Sequence, residues 1–430
     1  MAAPRPRGAL GVHPRPPGPG FTPYVWASTA AAIAAKHSLS PAHVLRFDAN
    51  LPPFPAPLPL PGRTLLAERG EYPEGSYREL REAAAAYAGC RPDETAIEAG
   101  ADGLIGLVAR TFLAQGRRAV VEEPTYPLYA IASRLEGADV EAAPRDLGSL
   151  ARKARGAHVL WLCNPGNPTG ELWRAADIRV VAESLPETLV CVDEAYFEYA
   201  NETVARFARE LLNLVCIRTL SKAFGLAGLR IGYAIASRTV AAELEARRAP
   251  APVSTVAARL AVAVLRAPTV ASAAGATVAE RERVRGALAA AGYDTPPVHA
   301  NFVYVRTPEA MGIAARLERR GLVVRSYSDA LRITVRCPSD DDLLLAALGV
   351  EPPAGGPRSA TVLRPGVRAS LLLEGSGGAR VSTCDRARDR RFERIAREAG
   401  LDLELIADEG ANEEDVAGAL GEALALAPAP

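Results

Sequence analysis

Short apolar runs alternate with helical stretches between residues 73 and 245, and this alternation restricts the possible folds more than any other feature of the chain. Several runs are apolar at every position, as strands of a largely parallel sheet covered by helices on both faces require. Ser76 and Glu79 have the spacing of a capping box and predict where the first helix begins. The sequence therefore predicts an α/β domain at 73–245. Its predicted strands are 95–98, 119–122, 140–143, 158–163, 188–192, 214–218 and 231–236.

The rest of the chain divides into five further segments that differ in composition and periodicity. They are a flexible Pro/Arg-rich tail (1–25), an N-terminal arm that forms part of a small domain (26–72), the remainder of this smaller α+β domain (246–350), a Pro/Gly linker (351–358) and a short C-terminal α+β appendage (359–430). Within the small domain, one long Ala-rich helical stretch is predicted from residue 254 toward 291.

The charge balance of the chain excludes several classes of protein. Fifty basic and 50 acidic residues give a net charge of zero, which argues against nucleic acid and acidic membranes as partners. There is no apolar run of about 18 residues, and the N-terminus has no apolar signal-peptide core. The six cysteines are scattered without a C-x-x-C pair. Reduced thiols and a cytoplasmic location are therefore predicted.

Lysine is rare in this chain. Only Lys36, Lys153 and Lys222 are present, and the other 47 of the 50 basic residues are arginine. Arginine does not lose its proton and does not readily form an imine, whereas a primary amine can do both. A lysine retained inside an ordered motif therefore indicates a site where an amine is needed.

Polar side chains follow several predicted strands at the point where each strand ends. Asn167 lies in the turn-rich loop after 158–163, Asp193 and Tyr196 follow 188–192, and Lys222 follows 214–218. The strand 95–98 leads into the start of a helix, whose backbone N–H groups suit an anion. Because ligands of parallel α/β sheets bind at the carboxyl ends of the strands, we expect these groups to share one site.

This set of groups suits pyridoxal phosphate. An amine can form a Schiff base with the aldehyde, and a carboxylate can keep the pyridine nitrogen protonated so that the ring accepts electrons. A phenol and an amide can bind the ring 3-oxygen, while hydroxyl, guanidinium and backbone N–H groups hold the phosphate. Taken singly, each residue is more often a turn or capping residue. Their order and spacing together favour the cofactor.

Three stretches carry a resemblance to a known family: CNPGNPTG at 163–170, VDEAYFEY at 192–199 and RTLSKAFGLAGLRIGY at 218–233. They resemble fold-type I pyridoxal-phosphate aminotransferases of class I/II, most of all the histidinol-phosphate aminotransferase family, over about residues 46–350. The resemblance implies a PLP-transferase large domain at 73–245 with a smaller α+β domain. It also implies transfer of an amino group between an anionic amino donor and a keto acceptor through an internal aldimine.

The resemblance also implies roles for individual residues. Lys222, Asp193 and Tyr196 are expected to be catalytic, with Lys222 forming the Schiff base and Asp193 facing the pyridine nitrogen. Tyr72 is expected to reach the cofactor phosphate of the partner subunit, which implies a homodimer with shared active sites. The other expected cofactor contacts are Asn167, Tyr126, Ala101, Asp102, Ser221, Thr219 and Arg230, and the expected substrate contacts are Arg325, Arg332, Asn50 and Phe54.

The substrate side departs from the family pattern. The arm reads Asn50-Leu51-Pro52-Pro53-Phe54, where the family usually has a more polar run, and Arg336 stands where Gly is usual. These departures leave open a pyridoxal-phosphate decarboxylase resembling threonine-phosphate decarboxylase, or another such enzyme of specialised metabolism. A non-catalytic effector-sensing domain is a third alternative, but no basic DNA-binding module accompanies it.

The C-terminal segment has a resemblance of its own. ATVLRPGVRASLLLEGSGGARVST and the run from 401 to 427 resemble the first half of imidazoleglycerol-phosphate dehydratase. That enzyme needs metal-binding histidines, yet the last histidine of this chain is His299. We therefore predict that 359–430 is a degenerate dehydratase-like segment, and no metal site is predicted in the chain.

Overall fold

The computed structural model describes residues 15–52, 70–353, 359–364, 366–372, 379–382, 392–394, 396–398, 400–408 and 411–426. The described strands are β1 Leu45–Phe47, β2 Thr95–Glu98, β3 Arg118–Glu123, β4 Asp139–Pro144, β5 Val159–Cys163, β6 Leu189–Asp193, β7 Leu214–Thr219, β8 Gly232–Ile235, β9 Phe302–Arg306, β10 Leu322–Ser326, β11 Ala330–Thr334, β12 Ser359–Arg364, β13 Val367–Leu372, β14 Ala379–Ser382 and β15 Asp402–Ala407.

The described helices of four or more residues connect these strands. They are α1 Ala30–His37, α2 Arg78–Ala88, α3 Gly100–Phe112, α4 Leu128–Leu135, α5 Leu147–Ala154, α6 Ala175–Glu183, α7 Phe197–Ala200, α8 Ala205–Glu210, α9 Arg238–Arg247, α10 Thr255–Arg266, α11 Thr269–Ala290, α12 Ala310–Glu318, α13 Pro338–Ala347 and α14 Glu413–Leu426.

The large sheet contains all seven strands predicted for the α/β region. Its order is β2-β8-β7-β6-β5-β3-β4, and only β8 runs antiparallel to both of its neighbours. Strands β5, β6 and β7 are buried at every position, because helices cover both faces of the sheet. Separate apolar clusters fill the two faces. The predicted α/β fold class is confirmed, and the parallel strands deliver their ends to one edge.

A second sheet brings the N-terminal arm and the chain beyond residue 300 together. Its order is β1-β10-β11-β9, and β1 pairs in parallel with β10. The single long helix predicted near 254–291 is wrong: α10 and α11 meet at a bend of 77°, because Pro268 cannot continue a helix. In the part of the chain described, no single helix is long and apolar enough to cross a membrane, and this bent pair passes that test by length and composition only.

The C-terminal residues form a third sheet of order β12-β13-β15-β14, covered by α14. Its core contains Val367, Leu371, Leu403, Leu405 and other apolar residues. This agrees with the α+β appendage expected from the sequence. The sheet contacts the small domain, since β12 and β13 both pack against α13.

The described part of the N-terminal tail lies against the large domain. Arg15 pairs with Glu136 at 2.8 Å, and the Gly18 N–H donates to the Arg134 carbonyl at 2.6 Å. The sequence predicted a flexible tail over 1–25 because Pro-rich segments lack regular backbone hydrogen bonds. From residue 15 onward these side-chain and single backbone contacts hold an extended chain beside the sheet edge.

Candidate active site

The carboxyl ends of the parallel strands open into a cavity of about 630 Å³. Its lining comes from both the large sheet and the small domain, and includes most residues predicted for the site. They are Asn50, Ala101, Asp102, Tyr126, Asn167, Asp193, Tyr196, Thr219, Ser221, Lys222, Arg230, Arg325 and Arg332. The structure therefore brings these groups into one cavity, with Asn50, Arg325 and Arg332 supplied by the arm and the small-domain sheet.

Asp193 lies at the end of β6 and is almost completely buried. The Tyr129 hydroxyl donates to its Oδ2 at 2.7 Å, and the Ala195 N–H donates to its Oδ1 at 3.0 Å. Burial raises the pKa of Asp193 to about 6, although both hydrogen bonds stabilise the ionised form and oppose the shift. The carboxylate is therefore fixed in orientation and ready to pair with a cationic ring nitrogen.

Lys222 follows β7 and places its amine in the same cavity, 5.6 Å from the centre of the Tyr196 ring. Burial, and after it the charge of Arg332, lowers the pKa of Lys222 to about 8. Near pH 7 about one tenth of the amine is thus unprotonated, far more than for a lysine of ordinary pKa. A neutral primary amine is the form that can react as a nucleophile or accept a proton.

The opposite end of the cavity is suited to an anion. Helix α3 begins at Gly100 with a positive φ of 77°, and Ala101 and Asp102 line the cavity at its first turn. A Cβ on Gly232 would lie 2.5 Å from the Gly100 carbonyl carbon, so this close approach of β8 requires glycine. The helix start is thereby held against the sheet edge.

Arg230 provides the cation at this end. Its Nη2 donates to Asp102 Oδ2 at 2.8 Å, and its Nη1 lies 3.5 Å from Ser221 Oγ, which in turn bonds Thr219 Oγ1 at 2.9 Å. The Tyr126 hydroxyl donates to Asp102 Oδ1 at 3.2 Å. The Asp102 carboxylate therefore orients Arg230 and Tyr126. Its share in holding a phosphate can come only from its backbone N–H, because the side chain is itself anionic.

Asn50, Asn167 and Tyr196 lie between these two ends of the cavity. The Asn50 Nδ2 donates to the Tyr196 hydroxyl at 2.7 Å, and Asn50 also bonds Thr334 of β11. Asn167 Oδ1 accepts a hydrogen bond from Arg332 Nη1 at 2.5 Å. The amide and phenol predicted to contact the ring oxygen thus hydrogen-bond to residues of the arm and small domain.

Arg332 and Arg325 stand opposite each other on antiparallel strands β11 and β10. Arg332 is buried, and its Nη2 donates to the Asp48 carbonyl at 2.7 Å. Within the described part of the chain its Nε has no hydrogen-bond partner. Two like charges directly across a sheet repel each other unless an anion lies between them. The pair is therefore arranged to receive an anionic group.

Tyr72 and Phe54 are the remaining predicted site residues. Tyr72 is 92% exposed and lies outside this cavity, in a second depression with Pro73, Thr255 and Arg259. Phe54 falls outside the residues that the structure describes.

Comparison with known proteins decides which family this site belongs to. The model of a family described as aminotransferase class I and II matches residues 52–348. The chain belongs to this family. This aminotransferase is similar to histidinol-phosphate aminotransferase 2 of Caulobacter vibrioides, with 35% identity over 348 residues, 76% of this chain and 91% of the relative.

Two solved structures are also similar to the aminotransferase. Histidinol-phosphate aminotransferase from Sinorhizobium meliloti, in complex with pyridoxal-5'-phosphate, matches with a TM-score of 0.70 and 28% identity, covering 77% of this chain and 96% of that one. L-threonine-O-3-phosphate decarboxylase from Porphyromonas gingivalis matches with a TM-score of 0.59 and 25% identity, covering 66% and 96%. The predicted family and its aminotransferase activity are confirmed.

The side chains of the aminotransferase fit pyridoxal phosphate. The cavity has the volume of a small-molecule site. It holds a buried carboxylate at Asp193, an amine of lowered pKa at Lys222, and the start of helix α3 beside Arg230. A pyridinium, an aldehyde and a phosphate are the groups that these three features accept.

Sequence reasoning missed Tyr129 and Glu122. Tyr129 stacks on Trp161 at 5.5 Å and lies three residues after Tyr126, on the first turn of α4. Glu122 is fully buried, accepts hydrogen bonds from the Cys163 N–H and Thr125 Oγ1, and pairs with Arg145. A tyrosine one helical turn from a site tyrosine was a usable signal, whereas Glu122 lies inside a strand and gave none.

The N-terminal aromatic residues were also missed. Tyr24 lies 6.2 Å from the ring of Tyr126 and 5.1 Å from that of Trp26, and all three line the cavity. Sequence analysis assigned 1–25 to a tail, because Pro-rich segments carry no periodic pattern. Residues 22–25 of that segment nevertheless form part of the cavity wall.

Proposed function

We propose that this enzyme is a histidinol-phosphate aminotransferase-like transaminase that uses pyridoxal phosphate, bound at Lys222, to move an amino group between an anionic amino donor and a keto acceptor. The observation that carries the proposal is the shared cavity of Lys222, Asp193 and Arg332. An amine, a carboxylate that keeps the ring nitrogen protonated and an anion receptor are together what transamination of an anionic amine requires.

Each residue has a proposed part in holding the cofactor. Asp193 pairs with the ring nitrogen, Tyr126 stacks on the ring, and Asn167 and Tyr196 bind the 3-oxygen. When bound, the cofactor supplies an aldehyde that takes up the amino group and a ring that withdraws electrons from the reacting carbon. The phosphate is held by Thr219, Ser221, Arg230 and the backbone N–H groups of Ala101 and Asp102.

Lys222 is the proposed general base. Its pKa of about 8 lets the free amine accept a proton and return it near neutral pH. Asp193 is ionised above about pH 6 and Lys222 is mostly unprotonated above about pH 8, so activity should rise with pH until both groups are in their active forms above about pH 8. Tyr196, which hydrogen-bonds Asn50, holds the arm against this centre.

The substrate is held by its anionic group. Arg332 and Arg325 form the receptor, because guanidinium groups match carboxylate and phosphate oxygens in pairs. Asn50 lies beside the receptor through its bond to Thr334. Phe54, outside the described residues, is proposed as a further contact of the arm. A carboxylate-bearing amino acid is slightly favoured over histidinol phosphate, since Leu51 makes the described part of the arm apolar.

Several properties of the whole molecule belong to the same proposal. The enzyme is a cytoplasmic homodimer in which Tyr72 reaches the partner subunit's cofactor phosphate. The large domain is 73–245, and the small domain is formed by 26–72 and 246–350. The segment 359–430 is a degenerate dehydratase-like unit without catalytic metal. Among the described residues, no group of three or more His, Cys, Asp or Glu side chains is placed to hold a metal ion.

A pyridoxal-phosphate decarboxylase is the second candidate. It is favoured by the similarity to L-threonine-O-3-phosphate decarboxylase at 25% identity. The two functions differ in the bond that breaks, so their products differ. A decarboxylase releases carbon dioxide and keeps the amino group on its product, whereas a transaminase leaves the amino group on the enzyme.

One experiment separates the candidates. The holoenzyme is mixed with single amino donors, including histidinol phosphate, glutamate and aromatic amino acids, without any keto acid. We expect the absorbance of the bound cofactor to change to that of pyridoxamine phosphate, with one keto product per active site and no carbon dioxide. Release of carbon dioxide without pyridoxamine phosphate would replace the proposal by the decarboxylase.

A further inference from the structure

A buried charge cluster outside the cavity joins the small domain to the C-terminal sheet. Arg336 lies two residues beyond β11 and is 7% exposed. Its Nε donates to Asp340 Oδ2 at 2.8 Å, and its Nη2 pairs with Glu404 on β15. Glu404 also accepts a hydrogen bond from Arg368 Nη2 at 2.9 Å. Arg336 and Arg368 thus share the Glu404 carboxylate across the interface, and Asp340 bonds Arg336 from the small-domain side.

Neutral and backbone contacts reinforce the same interface. Asp340 Oδ1 accepts hydrogen bonds from Thr361 at 2.5 Å and from Ser370 at 2.9 Å, both on the C-terminal sheet. Beside them, Asp408 accepts from Ser40 Oγ at 2.5 Å and from the Ala42 N–H at 2.9 Å. The C-terminal unit therefore forms hydrogen bonds both to α13 and to the turn that precedes β1. It is held to the small domain by these contacts as well as by its covalent connection.

Arg336 connects this interface to the substrate side of the cavity. Its guanidinium lies 5.7 Å from the centre of the buried Phe47 ring on β1. Three residues after Phe47, Asn50 bonds Thr334 of β11 through both its backbone N–H and its side chain. On the same strand, Arg332 donates to the Asp48 carbonyl. Arg336 therefore follows β11 in the chain and packs its side chain on β1, and these are the two strands whose residues or neighbours carry the proposed substrate contacts.

We propose that Glu404 is a positioning residue: through Arg336 it fixes β1 and β11, so the C-terminal unit sets the placement of Arg332 and Asn50 in the cavity. The predicted effect on substrate binding rests on the proposed function, whereas the predicted effect on the positions of β1 and β11 does not depend on it. The C-terminal unit thus has no dehydratase activity of its own, and its role is to stabilise the position of the strands in the small domain that contact the substrate.

The physical reason is the cost of an unpaired buried charge. Replacing Glu404 by Gln removes the carboxylate that Arg336 and Arg368 share and leaves an excess of positive charge in a buried interface, where Asp340 still bonds Arg336. Arg336 relieves this imbalance by moving, and it moves the end of β11 with it. Small displacements of a positioning group are enough to lower catalytic efficiency by a large factor.

The test compares three variants of the full-length holoenzyme by hydrogen–deuterium exchange and by half-reaction kinetics. In E404Q we expect faster exchange in peptides covering 45–50 and 330–336, and a KM for the anionic donor raised about tenfold or more. R368Q removes the other partner of the same carboxylate but keeps the Arg336–Glu404 pair. E422Q removes the exposed pair between Glu422 and Arg364 of the same unit. Both controls keep the wild-type exchange in these peptides and the wild-type KM.

Two results would overturn the inference. One is E404Q with a lower melting temperature but wild-type exchange and KM, which would make the unit merely stabilising. The other is R368Q changing both the exchange and the KM as much as E404Q does.

If E404Q fails to fold, the R336K variant provides the test in its place, because a lysine keeps the positive charge but reaches only one carboxylate. Wild-type exchange in R336K would then refute the proposal. If the wild type shows no half-reaction, the proposed function fails, while exchange still tests the inference.

Discussion

Tyr129→Phe removes one hydrogen bond from the most buried carboxylate of the active site. The lost contact is the 2.7 Å bond from the Tyr129 hydroxyl to Asp193 Oδ2. The ring still stacks on Trp161, so the packing of the helix is preserved. The substitution therefore isolates what the phenol does for the ionised carboxylate.

The expected size follows from the charge of the acceptor. A hydrogen bond to an ionised group contributes about 1.5–3 kcal/mol, and one pKa unit corresponds to about 1.4 kcal/mol. Without the phenol, the pKa of Asp193 rises by about one to two units above its present value of about 6. Because the pKa of the carboxyl group is raised, the group becomes protonated at a higher pH than in the wild type. At pH 7 a large part of the variant's Asp193 is protonated.

The assay is the affinity of cofactor-free enzyme for pyridoxal phosphate between about pH 5 and pH 9. Cofactor binding requires the ionised carboxylate of Asp193. Since Lys222 titrates in the same way in both proteins, its contribution cancels in the ratio of variant to wild-type Kd. The pH dependence of this ratio therefore reports the ionisation of Asp193 alone. We expect this ratio to be about 10- to 100-fold larger near pH 5 than near pH 9. Tyr233→Phe, which removes a buried phenol from strand β8 of the same sheet, is the matched control and leaves the ratio constant.

A Kd ratio for Tyr129→Phe that does not vary with pH would refute this reasoning. It would mean either that Asp193 is not the group whose ionisation controls cofactor binding, or that the phenol does not stabilise its charge. A ratio that rises with pH would have the wrong sign for a carboxylate and would exclude the account directly.

Three further predictions concern the substrate, the lysine and the C-terminal unit. Arg332→Ala raises the KM for anionic amino donors about 10- to 150-fold and spares uncharged amines, because one charge-assisted contact is lost; equal loss for both substrate types would contradict it. The rate of cofactor attachment to the cofactor-free enzyme rises with pH and levels off above about pH 8, since burial lowers the pKa of Lys222; a rate still rising beyond about pH 10 would indicate an unperturbed lysine. Purified protein contains no stoichiometric manganese or zinc and has no dehydratase activity, as measured by elemental analysis and product formation, because no histidine follows His299; metal retained by the segment 359–430 would contradict this.

The sheet and the cofactor side of the site could be predicted from sequence because local patterns encode them. Apolar runs specify buried strands, and the parallel arrangement then brings their ends together whatever the intervening loops do. Lys222 and Asp193 follow strands directly, so their convergence needed no knowledge of the small domain. The predicted capping box at Ser76 is wrong. The helix begins at Arg78, whose N–H bonds Glu74 instead, because a nearer carboxylate competes with the serine.

The remaining features depend on contacts between distant segments. Tyr24 reaches the cavity only because the extended N-terminus lies along the large domain, and no periodicity marks such a segment. The pairing of Arg336 with Glu404 joins residues 68 positions apart across an interface between two sheets. Sequence analysis identified Arg336 as a departure from the family. The sequence does not show that Glu404 pairs with Arg336 and compensates its buried charge.

The most direct test of the central claim is where the cofactor is attached. Borohydride reduction of the holoenzyme followed by peptide mapping fixes the cofactor to the amine that holds it. The account predicts one pyridoxyl group per chain, on Lys222. A label on Lys36 or Lys153, or no label at all, would contradict it.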